Sequence, residues 1–325
     1  MKNIVNKLKG SSVLITGGCG FIGLHLTRKL VDLGVKKIII IDSLEYGKKE
    51  NLGDLLNQVE VIKYKIGNTD NTIIANIFKN IDYLFHLAAE KHNQSIDNPL
   101  KVLESNITGT LKMFELAGQN NIKKVFYSSS VLAYGCKKGE KIPYSELKIP
   151  IPETVYGISK LTGEYFLNYC YKKYGLRYNI FRIFFTYGPC QFSGTGYKSV
   201  IVKNFERILK NKNPIVFGNG KQVLDYIFID DVIDNIVEIM ESDYDNEVFN
   251  LGSSIPTTIN YLTDVMIKIA GKRLKKIYGP PDDTDKTFRV ADISKIKNSL
   301  DFRSSVSLEQ GLEKTYNWIK SQKKL

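Results

Sequence analysis

The stretch from Val13 to Asp42, VLITGGCGFIGLHLTRKLVDLGVKKIIIID, constrains this chain more than any other. Val13-Leu14-Ile15 is a short apolar run that predicts a buried strand. Gly17, Gly20 and Gly23 follow at three-residue spacing. Ile22, Leu26, Leu30 and Leu33 then recur at helical spacing, up to a stop at Gly34. A second apolar strand over 38–41 runs into Asp42. Glycines between a strand and a helix let the backbone approach a pyrophosphate, and the helix N-terminus supplies unpaired N–H groups and a positive dipole end. Asp42 stands 19 residues beyond Gly23 (42 − 23). A carboxylate there accepts hydrogen bonds from a ribose 2′-hydroxyl and repels a 2′-phosphate. The stretch therefore predicts a dinucleotide site that favours NAD over NADP.

The rest of the first half continues the alternation. Strands are expected at 59–64, 83–89, 124–128 and 177–184, and long amphipathic helices at 99–120 and 153–174. Strands alternating with helices imply a doubly wound parallel sheet, the Rossmann arrangement. The strand at 83–89 ends in small residues, Ala88-Ala89, at the sheet edge where such folds bind ligands. Thr186-Tyr187-Gly188-Pro189 is expected to break the strand before it. From Cys190 the pattern changes to a Gly/Ser-rich loop, helices near 199–210, 232–240, 259–270 and 308–320, and short strands at 214–217 and 248–251. These features divide the chain into a dinucleotide-binding domain over 1–185, with 226–252 returning to it. A smaller C-terminal α/β substrate lobe comprises 186–225 and 253–325, with a ligand cleft between the two.

Composition narrows the class. In 325 residues, 43% hydrophobic and 25% charged, there is material for a real core and no apolar run near the ~18 residues that cross a bilayer. MKNIVNKLKGSS lacks the apolar segment of a signal peptide, which points to a cytoplasmic protein without membrane partners. The net charge is +12, but 39 lysines against seven arginines, spread along the chain, do not make a nucleic-acid face. Such a surface suits steering of an anionic small substrate. Cys19, Cys136, Cys170 and Cys190 form no CxxC pair, and His25, His86 and His92 are the only histidines. No zinc constellation follows, so reduced structural cysteines and no bound metal are expected.

The second decisive motif is Tyr156-Gly157-Ile158-Ser159-Lys160. Tyr156 and Lys160 are four apart on a helix and share a face. A phenol titrating near ~10 is a poor base at neutral pH. A nearby ammonium and the cationic nicotinamide of bound NAD would lower it, so that Tyr156 takes a proton from a sugar hydroxyl as hydride leaves the same carbon. Ser130, just past the strand entering the cleft, is the natural third member, with Ser128 and Ser129 as competitors.

With these motifs in order, the chain resembles the extended short-chain dehydrogenase/reductase family, in its NAD-dependent nucleotide-sugar epimerase/dehydratase branch. TGGCGFIG, HLAA at 86–89, NITGT at 106–110, SSSVLAYG at 128–135, YGISK, Tyr187-Gly188-Pro189 and ADISK at 291–295 carry the resemblance over nearly the whole chain. It implies that Thr16, Gly17, Gly20, Phe21, Ile22, Gly23, Asp42, Asn68, Leu87, Ala88, Ala89, Asn106, Tyr156 and Lys160 contact NAD. The implied catalytic set is Ser130, Tyr156 and Lys160, with Lys91, Ser130, Tyr156, Phe185 and Arg289 toward the substrate. It also implies a homodimer formed by packing the helices near 99–120 and 153–174 into a four-helix bundle.

Within that family, 4,6-dehydratases carry an Asp-Glu pair directly after the catalytic hydroxyl residue. Here Val131 and Leu132 stand there and cannot move protons. The resemblance therefore favours a 4-epimerase of a nucleotide-linked sugar working through a 4-keto intermediate, in carbohydrate biosynthesis. A net nucleotide-sugar oxidoreductase using the same triad is the nearest alternative. A 4,6-dehydratase and a non-catalytic dinucleotide-binding protein are more distant ones. Three departures touch the grip on ligands. Phe185 replaces an Asn common near the sugar diphosphate, Leu224 replaces an Arg before Asp225-Tyr226, and Asn68 replaces an Asp near the adenine. Arg289, in an R-x-x-D pattern with Asp292, is left as the candidate phosphate contact, with Lys198 and Lys203 as possible substitutes.

Overall fold

A computed structural model describes residues 6–68, 72–136, 139–191, 198–282, 284, 287–300, 302 and 304–322. The first half holds strands β1 (Ser12–Thr16), β2 (Lys37–Asp42), β3 (Glu60–Lys63), β4 (Tyr83–His86), β5 (Lys124–Ser130) and β6 (Tyr178–Ile183). Between them run helices α1 (Phe21–Asp32), α2 (Thr72–Phe78), α3 (His92–Asp97), α4 (Pro99–Val102), α5 (Thr110–Gln119) and α6 (Val155–Tyr174). The second half continues with β7 (Phe185–Tyr187), α7 (Val200–Leu209), β8 (Ile215–Phe217), β9 (Val223–Phe228), α8 (Ile229–Glu241) and β10 (Glu247–Leu251). It ends with β11 (Pro256–Thr258), α9 (Ile259–Ile269), β12 (Ile277–Gly279), β13 (Phe288–Arg289), α10 (Ser294–Ser299) and α11 (Leu308–Gln322).

Seven strands form one parallel sheet in the order β10-β6-β5-β4-β1-β2-β3. Both faces are covered, which is why β1 and β4 are buried along almost their whole length and read as continuous apolar runs. One buried cluster gathers Ile15, Phe85, Phe126 and Phe181, and the opposite one Leu14, Leu84, Val125 and Tyr127. Neighbours along each strand alternate between the two faces, as a pleated sheet requires. The order reverses at β1, between β4 and β2, and this creates the crevice in which such sheets bind ligands.

Two long helices set the geometry of the site. The helix expected over 99–120 is one rod of three parts: α4, a π-helical turn at Leu103–Gly109, and α5. Gly109 lets this rod lie against Ile66, since a Cβ there would meet the Ile66 carbonyl at 2.8 Å. The other rod, α6, starts where the Thr154 hydroxyl accepts from the Gly157 amide, a cap worth about 1 kcal/mol. It ends at Gly175 in the left-handed region, φ +69°. Gly163 lets α6 lie hard against β5, because a Cβ would fall 2.3 Å from the Tyr127 hydroxyl oxygen.

The smaller lobe departs from expectation in its strands. Phe185–Tyr187 does not break off as a turn. It forms β7 and pairs in parallel with Tyr226–Phe228 of β9. The central strand of this lobe, β9, went unread because VLDYIF places Asp225 inside an apolar run. That carboxylate is fully buried and accepts from the amides of Ser253, Ser254 and Ala291 and from the Ser253 hydroxyl. Of the segment 226–252, α8 and β10 lie with the large sheet, while Tyr226–Phe228 belongs to the smaller one.

Candidate active site

The turn after β1 is built from close backbone approaches. Gly17 adopts φ +76°, and a Cβ on it would meet Ala88 Cα at 2.9 Å. A Cβ on Gly23 would fall 2.3 Å from the Gly17 carbonyl oxygen. The glycines thus bring β1, α1 and the loop after β4 together. Phe21 and Ile22 open α1, and Gly20 caps it without any side chain, which leaves the first amides facing the crevice. Asp42 closes the far side. Its carboxylate accepts from the Cys19 and Leu44 amides at 3.0 and 2.9 Å, and burial pushes its pKa up while those bonds pull it down. The crevice fits a dinucleotide: small residues line it, amides face it, and a carboxylate stands at the ribose end.

Thr16 and Asn106 lie behind this surface. The Thr16 hydroxyl is fully buried, bonded to His86 Nδ1 at 2.8 Å and to the amides of Leu87 and Ala88. His86 Nε2 in turn meets the Thr110 hydroxyl at 3.0 Å, and burial drives its pKa down to about 3. Asn106, in the π-helical turn, accepts from the Glu90 amide and donates to the Glu90 carbonyl and the Ser159 hydroxyl. Both side chains shape the loop that carries Leu87, Ala88 and Ala89. Asn68 is exposed, and its carbonyl accepts from Lys112 and Tyr64. Lys91 is exposed just ahead of α3. Over the crevice, Lys101 Nζ reaches Glu45 at 2.6 Å, Tyr46 at 3.2 Å and Glu90 at 3.2 Å. It thereby links the loops after β2 and β4 across the end of β1.

Strand alternation sorts the three serines at the end of β5. The Ser129 hydroxyl turns into α6 and donates to Glu164 Oε1 at 2.5 Å. Ser128 supplies its carbonyl to Lys160 Nζ at 2.7 Å. Ser130 caps a short 3-10 turn, Val131–Tyr134, by accepting from the Leu132 amide at 3.2 Å. Its hydroxyl also stands close enough to the Tyr156 phenol to pull that group's pKa down. Ser130, Tyr156 and Lys160 are therefore brought together at the carboxyl edge of the sheet, with the Lys160 ammonium 5.7 Å from the centre of the Tyr156 ring.

The electrostatics differ from expectation in one respect. Burial pushes the Tyr156 phenol up to about 12, and only the Ser130 hydroxyl pulls it back. Lys160 does not lower it in the protein alone, because burial brings the lysine itself down to about 7, opposed by the Glu164 charge. A bound nicotinamide cation would lower the phenol pKa by its charge.

The sequence reading missed what stands behind this triad. Glu164 is held bidentately by Arg182, Nε to Oε1 at 3.0 Å and Nη2 to Oε2 at 2.6 Å, and both side chains are buried. The available signal was Glu164's position one turn beyond Lys160.

On the substrate side, Arg289 lies next to Leu224 in register, and its buried Nε has no hydrogen-bond partner among the described residues. Leu224 is itself buried and apolar. Phe185 is half-buried with its ring 5.9 Å from that of Tyr226. Lys198 is engaged by Glu206 at 2.8 and 3.0 Å. The four cysteines are free, no described helix is long and apolar enough to cross a membrane, and no metal-binding group of three or more His, Cys, Asp or Glu occurs among the described residues.

Residues 13–252 match the family model described as the NAD dependent epimerase/dehydratase family. A UDP-glucose 4-epimerase of Thermotoga maritima, solved with UDP-glucose, is 34% identical with a TM-score of 0.89, and the match covers 96% of this chain and 99% of that one. A UDP-glucuronate 4-epimerase of Thermodesulfobacterium geofontis is 31% identical, over 94% of this chain and 95% of its own. A UDP-glucuronic acid 4-epimerase of Bacillus cereus, solved with UDP-glucuronic acid and NAD, is 28% identical with a TM-score of 0.86, covering 96% and 99%. On that match, and with a Rossmann-like sheet carrying a Ser-Tyr-Lys site, the chain belongs to the NAD-dependent epimerase/dehydratase family.

Proposed function

We propose that this protein is a nucleotide-sugar 4-epimerase that works through a 4-keto intermediate. The observation that carries the reading is the Ser130–Tyr156–Lys160 assembly followed by Val131 and Leu132, where no proton donor or acceptor stands. Tyr156, as a phenolate favoured by the Lys160 charge, takes the proton from the sugar C4 hydroxyl and becomes a phenol, while Ser130 hydrogen-bonds that oxygen. Bound NAD supplies the hydride acceptor and the source of the returned hydride. With neither acid nor base at 131 and 132, the keto sugar has no route to lose water across C5–C6, so inversion at C4 is the outcome.

The same reading assigns contacts. Gly17, Gly20, Phe21, Ile22 and Gly23 hold the pyrophosphate of NAD, and Asp42 its adenosine ribose. Leu87, Ala88 and Ala89 pack along it, with Asn68 toward the adenine, while Thr16 and Asn106 fix those backbones from behind. Arg289 takes a diphosphate oxygen of the substrate, with Lys91 and Phe185 around the sugar. The dinucleotide domain then comprises the large sheet with α8 and β10, the substrate lobe includes β7 and β9, and the ligand cleft lies between them.

A homodimer through the 99–120 rod and α6 is supported by Ile158, Tyr165 and Tyr169, an exposed stripe at helical spacing, beside Leu100 and Leu103 on the 99–120 rod. Four free thiols suit a reducing cytoplasm, where nucleotide sugars for glycan synthesis are made.

The test is incubation with UDP-, GDP-, CDP- and dTDP-sugars, followed by NMR of the sugar and by absorbance of reduced nicotinamide. Inversion at C4 with no net nicotinamide change is the expected result. NADH accumulating with a keto sugar means a net dehydrogenase instead.

A further inference from the structure

The catalytic triad is held from behind by a polar row that crosses the sheet. Ser129 of β5, Arg182 of β6 and Asn250 of β10 are direct neighbours in register. Glu164 of α6 closes one end of the row. It accepts from the Ser129 hydroxyl and from two guanidinium nitrogens of Arg182. At the other end Asn250 donates to the carbonyls of Tyr144 and Asp292, and its amide reaches Glu146. Tyr134 joins the two parts, with its ring 4.5 Å from the Arg182 guanidinium and its hydroxyl donating to Asn250 at 2.8 Å.

The placement is specific. Ser129 sits between the residue whose carbonyl holds Lys160 and the residue whose hydroxyl meets Tyr156. Glu164 lies one helical turn beyond Lys160. The row therefore joins β5 to α6 at the point where their separation fixes the triad. A buried ion pair seldom stabilises a fold more than well-packed hydrophobic groups do, so stability alone does not call for charges here.

We propose that Glu164 and Arg182, acting through Ser129, are positioning residues for catalysis: their ion pair holds the end of β5 against α6, so that Ser128 and Ser130 engage Lys160 and Tyr156. This rests on the epimerase reading only for its kinetic test. The charged and titratable groups facing Lys160 are Tyr127 from β5, His86 from β4, and Tyr156 and Glu164 from its own helix. His86 is neutral, so Glu164 is the one carboxylate that favours the Lys160 ammonium.

Two variants of the NAD-loaded protein test it. Ser129→Ala deletes one hydroxyl and leaves the ion pair in place. Glu164→Met together with Arg182→Met removes both charges, which avoids the ~3–5 kcal/mol lost when one buried charge is left unpaired. In each, KM for the sugar and Kd for NAD should stay within about twofold, while kcat falls on the order of tenfold or more. The rising limb of the kcat–pH profile should move to higher pH, because Tyr156 loses its placement beside the Ser130 hydroxyl.

A second readout needs no substrate. The Tyr156 phenolate is titrated by ultraviolet absorbance, as the difference between each variant and the same variant with Tyr156→Phe. Its midpoint should rise in both. This separates failure of the inference from failure of the epimerase reading. A lower melting temperature with unchanged kcat, pH profile and phenolate midpoint would overturn the proposal. Ser129→Ala decides the matter alone if the paired variant does not fold.

Discussion

Lys160 donates to the Ser128 carbonyl oxygen across 2.7 Å, so the ammonium carried by α6 takes its position from β5. Burial brings that lysine down to about 7 in the folded protein. In the unfolded chain it titrates near ~10.4. Between those values the unfolded chain binds a proton that the folded chain has released, so stability rises with pH across the window. Lys160→Met should flatten this rise, reducing the gain in unfolding free energy by on the order of a few kcal/mol. Denaturant unfolding at several pH values, with the variant beside the parent, measures it. Equal slopes would mean that Lys160 is not held near neutrality.

Tyr156→Phe removes the hydroxyl that meets Ser130 and leaves the rest of the crevice intact. Turnover should fall roughly 10²–10⁴-fold, with NAD content of the purified protein unchanged. Sugar NMR and cofactor extraction check the two halves. Full activity in the variant would exclude the proton-transfer role.

Asp42→Ala acts on two quantities at once. The preference for NAD over NADP should shrink, because the negative charge beside the ribose is gone. Stability should also fall, since two backbone N–H groups, of Cys19 and Leu44, lose their acceptor at about 1–3 kcal/mol each when left unsatisfied. Equilibrium binding of both cofactors and a melting curve report these separately. An unchanged preference would rule out the ribose contact.

Lys101→Ala opens the bridge between the loops after β2 and β4. Glu45, Tyr46 and Glu90 then lose their common donor above the end of β1. NAD should leave about 2–10-fold faster, the modest effect expected of a partly exposed ion pair. Rates of cofactor exchange measure it, and an unaltered release rate would show that the bridge does not hold the cofactor.

Much of the site was legible because its chemistry depends on short-range spacing. The glycine turn, Asp42 and the Tyr156–Lys160 pair each follow from local periodicity, and the helices at 199–210, 259–270 and 308–320 appear within a residue or two of those positions. Local sequence favoured Ser130 but left Ser128 and Ser129 as competitors. The strand's alternation and the lie of α6 turn Ser129 inward and leave Ser130 at the edge.

What the sequence determined by itself was the class of fold, the cofactor and a Tyr156–Lys160 pair sharing one helix face, because each is written in spacing along one strand or one helix. The tertiary structure decided what depends on residues far apart in the chain. Asp225 stands buried inside β9 with its carboxylate satisfied by Ser253, Ser254 and Ala291, residues far along the chain. Thr16 and Asn106 become supports behind the crevice because His86, Glu90 and Ser159 reach them first. Glu164 finds Arg182 eighteen residues on, through a strand pairing that no local pattern encodes. A buried polar group needs its partners, and the fold alone decides which partners come within reach.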